Sequence, residues 1–548
     1  MTIVLRIILA SSVLAWCALR TPAQFSWTGS QPGEQYGFAV TFLGDLDGDG
    51  ADSIAIGAPL HMGPTGLAGR VEVRGIWTGV DYTLDGEWFG DQFGSTVSSI
   101  PDIDGDQVRE LVVGAWGNSQ GGLLAGKVYL FSGATGALIW ARAGFPEERF
   151  GFSIADAGDT LGNGVPSIVV GAPGASSDTG AAYVLSSLDG SVIASFFGDS
   201  PGDLFGHAVS AAGRIGGDPL PDILVSAPFW NNGVGRVYAY SPALNVQHAI
   251  VGGSPNSLFG YSIAGFPDLT GDGRDDFLVG IPAALVGGQA VGSASIRETL
   301  NWTNALSTWS GNQANEAFGS VVRNIGDWSG DGIDDAVLGS PAWNSTPGSN
   351  QGRITISSTN GPPLLQQAGE QAGERFGSAI AGHGDFNGDG AIDVIIGAPL
   401  HHTASGPNVG RVALLSSPGI GTYGVGAGGL NTMTLDGSGG TRANDLLTLD
   451  IMGGVPGTLG SLWIALQPDY AVITFPAGPA TQLINLGTVW PDIPFLFDAN
   501  GRFVETWALL PAVVAPLAGQ TLYLQAASIN LPLGTCIASN GLMLTLGN

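Results

Sequence analysis

Three stretches of this 548-residue chain place an oxygen-bearing side chain at alternate positions around a glycine. Asp268, Thr270, Asp272, Gly273 and Asp276 make the first, and Asp327, Ser329, Asp331, Gly332 and Asp335 the second. The third is Asp385, Asn387, Asp389, Gly390 and Asp393. Ligands at positions 1, 3, 5 and 9, with glycine at 6 to turn the chain, suit a hard divalent cation, and Ca²⁺ more than Mg²⁺ because the oxygens are many and flexible. Position 7 adds a backbone carbonyl, from Arg274, Ile333 and Ala391. An EF-hand opens in the same way but closes on a bidentate Glu at position 12. Here that place holds Val279, Leu338 and Ile396, inside β-branched runs, so the loops are expected to join strands of hairpins. The competing reading is a set of solvated Asx turns, since Asp and Gly are ordinary turn residues.

Four further copies depart from the pattern. One has Asp45, Asp47, Asp49 and Gly50, but Ser53 at position 9 and Asp52 one place early. Another has Asp102, Asp104, Asp106 and Glu110, with Gln107 where the glycine belongs. Both are taken as metal sites. A third copy, Asp159 with Leu161, Asn163 and Ser167, has lost a ligand to an apolar side chain, and a fourth opens with Arg214 beside Asp218 and Asp222. These two are expected to be metal-free, which leaves about three to five Ca²⁺ ions. The five retained loops hold 19 of the 46 acidic residues, so metal sites explain much of the net charge of −28. A surface so acidic repels phosphate backbones, which argues against nucleic acid as a partner.

The elements that must hold these loops repeat with them. An aromatic-glycine pair recurs at Tyr36-Gly37, Phe93-Gly94, Phe150-Gly151, Phe205-Gly206, Phe259-Gly260, Phe318-Gly319 and Phe376-Gly377, at intervals of 54 to 59 residues. Each unit then runs through a short strand, the acidic loop, a β-branched run ending in Gly-Ala-Pro or a variant, a variable loop and a Gly-x-Val strand. The triplet is intact at Gly57 to Pro59, Gly171 to Pro173 and Gly397 to Pro399. Four short strands per unit are the signature of a propeller blade, and the count gives an all-β, seven-bladed β-propeller over residues 24–418. Phe25 to Trp27 sit where an outer strand belongs, whereas the seventh unit runs into Pro418 without one. The N-terminal strand is therefore expected to complete the last blade and leave no open edge.

The aromatic-glycine pair, the Asp-rich nonapeptide and Gly-Ala-Pro in one unit resemble the FG-GAP repeat, found in the β-propeller head of integrin α subunits and in many secreted bacterial proteins. The resemblance covers roughly residues 25 to 418. It implies a seven-bladed ring with Ca²⁺ in hairpin loops on one face and protein ligands on the opposite face. The departures at Ser53, Gln107, Leu161 and Arg214 bear on individual sites and not on the fold. Without an Arg-Gly-Asp or an inserted adhesion domain, the resemblance names no particular ligand.

Residues 1–23 read as an export signal, with Arg6, an apolar run from Ile7 to Leu19 and small residues around Ala23. The mature chain then starts near Gln24, with no later stretch apolar enough for a transmembrane span. After a Gly-rich linker over 419–429, residues 430–548 contain about eight strand-like runs and few charges, which suggests a C-terminal β-sandwich-like domain. Cell-surface attachment through that domain is one role open to it.

Other motifs take plainer readings. Gly117-Asn118-Ser119-Gln120-Gly121 matches a nucleophile elbow but lies in a loop with no helix after it. His61, His401 and His402 follow Gly-Ala-Pro-Leu in two units, as a loop feature would. An acidic residue two places before the aromatic-glycine pair, from Glu34 to Glu374, recurs in six of seven units, which points to bonding a turn. The expected function is a secreted or cell-surface, Ca²⁺-binding module for an extracellular protein or glycan. A propeller enzyme acting on polysaccharide, as lyase or hydrolase, and a structural surface-layer component are the alternatives.

Overall fold

The computed structural model describes residues 25–416, apart from 76–78, 242–245, 300, 347, 360, 362 and 389, together with strands between 434 and 545. The expected export signal, the linker over 419–429, the strand-like run Leu483 to Leu486 and the ligand Asp389 lie outside the described residues. The chain falls into two compact units, 1–386 with 392–417, and 387–391 with 418–548. Among the described residues no helix is long and apolar enough to cross a membrane.

Each repeat folds into a four-stranded antiparallel sheet. In the first blade the strands are Ala39–Gly44, Ser53–Ala58, Arg70–Gly75 and Gly79–Asp85, in that order from the ring axis outward. The next five blades begin with Thr96–Ile100, Ser153–Gly158, Val209–Gly213, Ser262–Phe266 and Val321–Asn324, and the seventh with Ala379–Gly384. First strands of successive blades touch all the way round, and Ala379–Gly384 meets Ala39–Gly44 to close the ring. Second strands such as Ser53–Ala58, Glu110–Ala115 and Asp393–Ala398 are buried at every position, because a neighbouring blade covers each of their faces. Hence they are continuous apolar runs, whereas outer strands such as Val192–Phe197 alternate. Each core lies between two blades: Ala55, Val71 and Val73 of blade one pack with Val97, Leu111 and Val113 of blade two.

Blade seven borrows its fourth strand. Ser26–Thr28 pairs antiparallel with Arg411–Ser416, Trp27 opposite Val412, as the orphan outer strand at the N-terminus requires.

The repeated motifs are the joints between blades. Tyr36, Phe93, Phe150, Phe205, Phe318 and Phe376 each bridge in parallel to the glycine before the third strand of the preceding blade. The glycine that follows has φ of 81 to 87° in all seven units, a conformation that L side chains resist. Its N–H donates to the carbonyl of the first Gly-Ala-Pro residue of its own blade at 2.9 to 3.1 Å. That residue in turn lies against the next blade: a Cβ on Gly397 would stand 1.9 Å from the Gly37 carbonyl oxygen. Close backbone approach between blades thus explains both glycines of the motif.

In the second unit, Thr434–Gly439, Leu446–Met452 and Phe503–Ala508 form one antiparallel sheet. Leu459–Gln467 and Thr521–Asn530 are the long central strands of a six-stranded sheet. Ile493–Leu496 and Thr535–Ala538 are strands that the sequence pattern did not single out.

Candidate metal centre and the opposite face

The acidic loops join the first and second strands of their blades, so they all emerge at one end of the ring. Their first aspartate organises each of them. Asp45, Asp102, Asp268 and Asp327 accept the N–H of position 6 at 2.7 to 2.9 Å, from Gly50, Gln107, Gly273 and Gly332. Position 6 is left-handed throughout, and Gln107, with φ of 73°, takes the glycine conformation without being glycine. The departure at Gln107 is thereby absorbed, at a backbone cost of about 1 kcal/mol. Amide donors set the acidity at position 1: those of Gly105 and Gln107 hold Asp102 below the usual carboxylate range. At Asp268, burial pushes the other way and the amides of Gly273 and Gly271 prevail.

In the first two loops the carboxylates converge. Oxygens of Asp45, Asp47 and Asp49 lie within 4.8 Å of one another, as do those of Asp102, Asp104 and Asp106. Burial, and then repulsion from Asp47 and Asp45, raises the Asp49 pKa, which is the repulsion a cation relieves. The loops from Asp268 and Asp327 carry Thr270 and Ser329 at position 3, with Asp272 and Asp331 at position 5 bracing Arg274 and Ile333 through their backbone N–H groups. In the seventh loop, Asp385 and Asp393 flank Asn387 and Ala391.

Position 9 differs from the rest. Glu110, Asp276, Asp335 and Asp393 are buried at the mouths of their second strands and accept backbone N–H groups from Ile103, Leu269, Ser329 and Phe386 at 2.7 to 3.0 Å. Burial pushes Asp276 up to about 6, against hydrogen bonds from Leu269 and Thr299 that pull it down. The second oxygen of Asp335 is buried with no hydrogen-bond partner among the described residues. A buried carboxylate oxygen facing no donor suits a cation, and the donor set fits a hard divalent ion.

The loops expected to lack metal have other arrangements. In blade three Thr160 and Ser167 hydroxyls bond to each other at 2.9 Å, with Leu161 exposed. In blade four the cation is supplied by the neighbouring blade: the guanidinium of Arg274 reaches across to donate to the Ile215 carbonyl at 2.9 Å. Asp275 beside it accepts the Arg214 N–H at 2.8 Å. Asp52 does the same at the ring closure, accepting the Asp385 N–H at 2.8 Å. Of the three acids that the nonapeptide pattern leaves over, Asp52 and Asp275 therefore clasp one blade to the one before, whereas Asp334 accepts from the Asn324 side chain of its own blade at 2.8 Å.

The other end of the ring carries the loops between second and third strands and the passages to the next blade. Glu34, Asp91, Glu148, Asp203, Glu316 and Glu374 each accept backbone N–H groups of these passages, which is the turn-bonding role expected of them. His61 and His401 are buried against Glu34 and Glu374, each 2.5 Å from the carboxylate, so they brace this face. On this face Met62, Trp88, Phe89, Leu123 and Phe145 are 58 to 74% exposed. They fall on adjacent loops of blades one to three: Phe89 lies over Gly66, Pro146 over Gly122, and the Gly117 N–H donates to the Asp91 carbonyl between them. Single exposed apolar residues are unremarkable on a protein surface, but a contiguous set marks an interaction site.

Phe152, His207 and Tyr261, each directly after an aromatic-glycine pair, lie in a row with their rings tilted at 49° and centroids 5.5 and 4.7 Å apart. The imidazole has no hydrogen-bond partner at Nδ1 among the described residues, and burial pushes His207 down to about 4, opposed only by a backbone contact at Tyr261. Since the fold favours the neutral ring, its contribution is complete above pH 6.5 and is lost as pH falls towards 4, amounting to about 3 kcal/mol. Replacing His207 with Phe is expected to flatten the stability profile between pH 6.5 and 4, measured by urea unfolding. An unchanged slope would refute the assignment.

Ring, hairpin loops and blade joints together define a seven-bladed propeller of the FG-GAP kind. No family model matches the chain. Over 207 residues, 35% of this chain and 20% of the relative, it is 30% identical to integrin alpha-IIb of Mus musculus. Over 172 residues it is 30% identical to integrin alpha-PS2 of Drosophila melanogaster, with 27% and 12% covered. Over 220 residues it is 28% identical to integrin alpha-5 of Xenopus laevis, with 36% and 20% covered. The chain spans a fifth or less of the length of these relatives. Its repeat region is an integrin α N-terminal-like FG-GAP propeller.

Proposed function

We propose that the chain is an extracellular, non-enzymatic binding module of the adhesion type, whose propeller is stabilised by Ca²⁺ and engages a protein ligand through the face opposite the acidic loops. The observation that supports it is the set of exposed apolar side chains Met62, Trp88, Phe89, Leu123 and Phe145 on neighbouring loops at the end of the ring opposite the nonapeptide loops. Exposed aromatics are the residues that dominate protein interfaces. The ions would be held by the loops from Asp45, Asp102, Asp268, Asp327 and Asp385. Bound Ca²⁺ would supply charge neutralisation. The chain's own contribution is to aim position 1 by its backbone amides and to fix position 9 at the strand mouth.

A panel of immobilised extracellular proteins and polysaccharides, probed in millimolar Ca²⁺, tests the reading. Wild type is expected to retain a protein ligand and the double variant Trp88→Ser, Phe89→Ser to lose about tenfold or more in affinity, while melting at the same temperature. Retention of polysaccharide with release of shortened products would overturn it in favour of an enzyme.

A further inference from the structure

The repeat supplies an internal comparison between two seams of the ring. Arg74 and Arg297 hold the same place in blades one and five, opposite Ile54 and Phe277, the second residues of their second strands. At the seam between blades seven and one, Arg74 is paired with a carboxylate. Its Nη1 donates to Glu72 at 3.1 Å and to the Tyr36 hydroxyl at 3.4 Å, and its guanidinium lies 5.0 Å from the Trp27 ring centroid.

At the seam between blades four and five each of these partners is replaced. Glu72 becomes Ser295, two residues before the arginine, and Tyr36 becomes Phe259. Trp27 becomes Ile250, since Trp27 pairs with Val412 and Ile250 with Val237, both second in strands that open with Arg411 and Arg236. The seam is also the one at which the first Gly-Ala-Pro residue is a serine, Ser226, whose Cβ faces Gly260. A cleft of about 370 Å³ results, walled by Ile250, Phe259, Ile281, Leu285 and Trp302, with Arg297 the one charged residue among those lining it. Arg297 donates from Nε to the Ser295 hydroxyl at 2.9 Å and from Nη1 to the Thr303 carbonyl at 3.2 Å, both neutral acceptors. Burial lowers its pKa, and no neighbouring carboxylate raises it.

We propose that this cleft binds an aromatic carboxylate, which brings to Arg297 the carboxylate that Glu72 provides at the other seam and adds its ring to that of Phe259, whose centroid lies 5.9 Å from the guanidinium. A planar guanidinium lining a cleft of mixed polar and apolar walls selects a carboxylate, and Ile250, Phe259, Leu285 and Trp302 take the ring. Among the described residues nine lysine and arginine side chains are paired with carboxylates, and Arg297 is one of those that are not, the one that lines this cleft. The site lies in the wall between two blades and is independent of the binding face proposed above.

Calorimetric titration of the full chain with indole-3-acetate, indole-3-acetamide and a tripeptide ending in tryptophan tests it. The acid is expected to bind about tenfold or more tighter than the amide. Arg297→Gln removes the cation, and Ser295→Glu restores the internal carboxylate that blade one already accommodates; both are expected to abolish the preference without lowering the melting temperature. Binding of indole-3-acetate alone identifies a small free carboxylate, and binding of the tripeptide as well identifies a polypeptide C-terminus. Equal binding of acid and amide, no binding of the acid at millimolar concentration, or a preference that survives Ser295→Glu would overturn the proposal.

Discussion

Deleting residues 24–30 is expected to destabilise the propeller more than any other short truncation. The segment contributes the fourth strand of blade seven through Ser26, Trp27 and Thr28, and its loss exposes the edge of Arg411–Ser416. Trp27 also meets Phe386 edge-on at a centroid distance of 5.1 Å and packs with Phe25 on the core of Tyr36, Val40, Ile54 and Leu414. Truncating a partly buried tryptophan costs about 3 kcal/mol, and the lost ladder adds about 1 kcal/mol per hydrogen bond. The truncated chain should melt several degrees lower and aggregate through the open edge, with Trp27→Ala falling between it and wild type. Identical melting curves for wild type and the truncation would show that the ring closes by other means.

Chelation of Ca²⁺ is expected to have an effect of similar size. If ions bind the folded loops and not the unfolded chain, each site at ten times its Kd adds about 1.4 kcal/mol, so three to five sites add roughly 4 to 7 kcal/mol. That is comparable with the stability of a typical domain. Extracellular modules bind at ~10⁻⁴ to 10⁻³ M, so EDTA should lower the melting temperature and millimolar Ca²⁺ restore it. The raised pKa of Asp276, about 6, adds a pH dependence: affinity at that loop should weaken as pH falls through 6, because the proton and the ion compete for one carboxylate. Asp331→Ala should reduce the stoichiometry by one. Asp218→Ala should leave it unchanged, because the guanidinium of Arg274 already supplies that loop with a cation. Equal stoichiometry in wild type and both variants, or a loss confined to Asp218→Ala, would reassign the metal-bearing blades.

The number of blades, the ring closure by Phe25 to Trp27 and the positions of the acidic loops are legible in the order of the residues alone. These features are local and periodic: an aromatic-glycine joint, a hairpin loop and a continuously buried second strand must recur wherever one blade packs on the next. The turn-bonding role of the recurrent acid before each joint was legible for the same reason. Contacts between blades decided the rest, since they join residues far apart in the chain. Nothing in the nonapeptide indicates that Asp52 reaches Asp385, or that Arg274, counted as a carbonyl donor, extends its side chain into the Arg214 loop. The position 9 acids read as ligands equal to the others, yet strand entry buries them and bonds them to backbone amides. Met62, Phe89 and Phe145 fall in variable loops whose convergence on one face depends on blade order alone. The unpaired state of Arg297 emerges only when sheet register sets Ser295 and Ile250 against Glu72 and Trp27. Local steric and burial patterns are written in consecutive residues, whereas charge pairing and cavities belong to surfaces that exist once the blades have met.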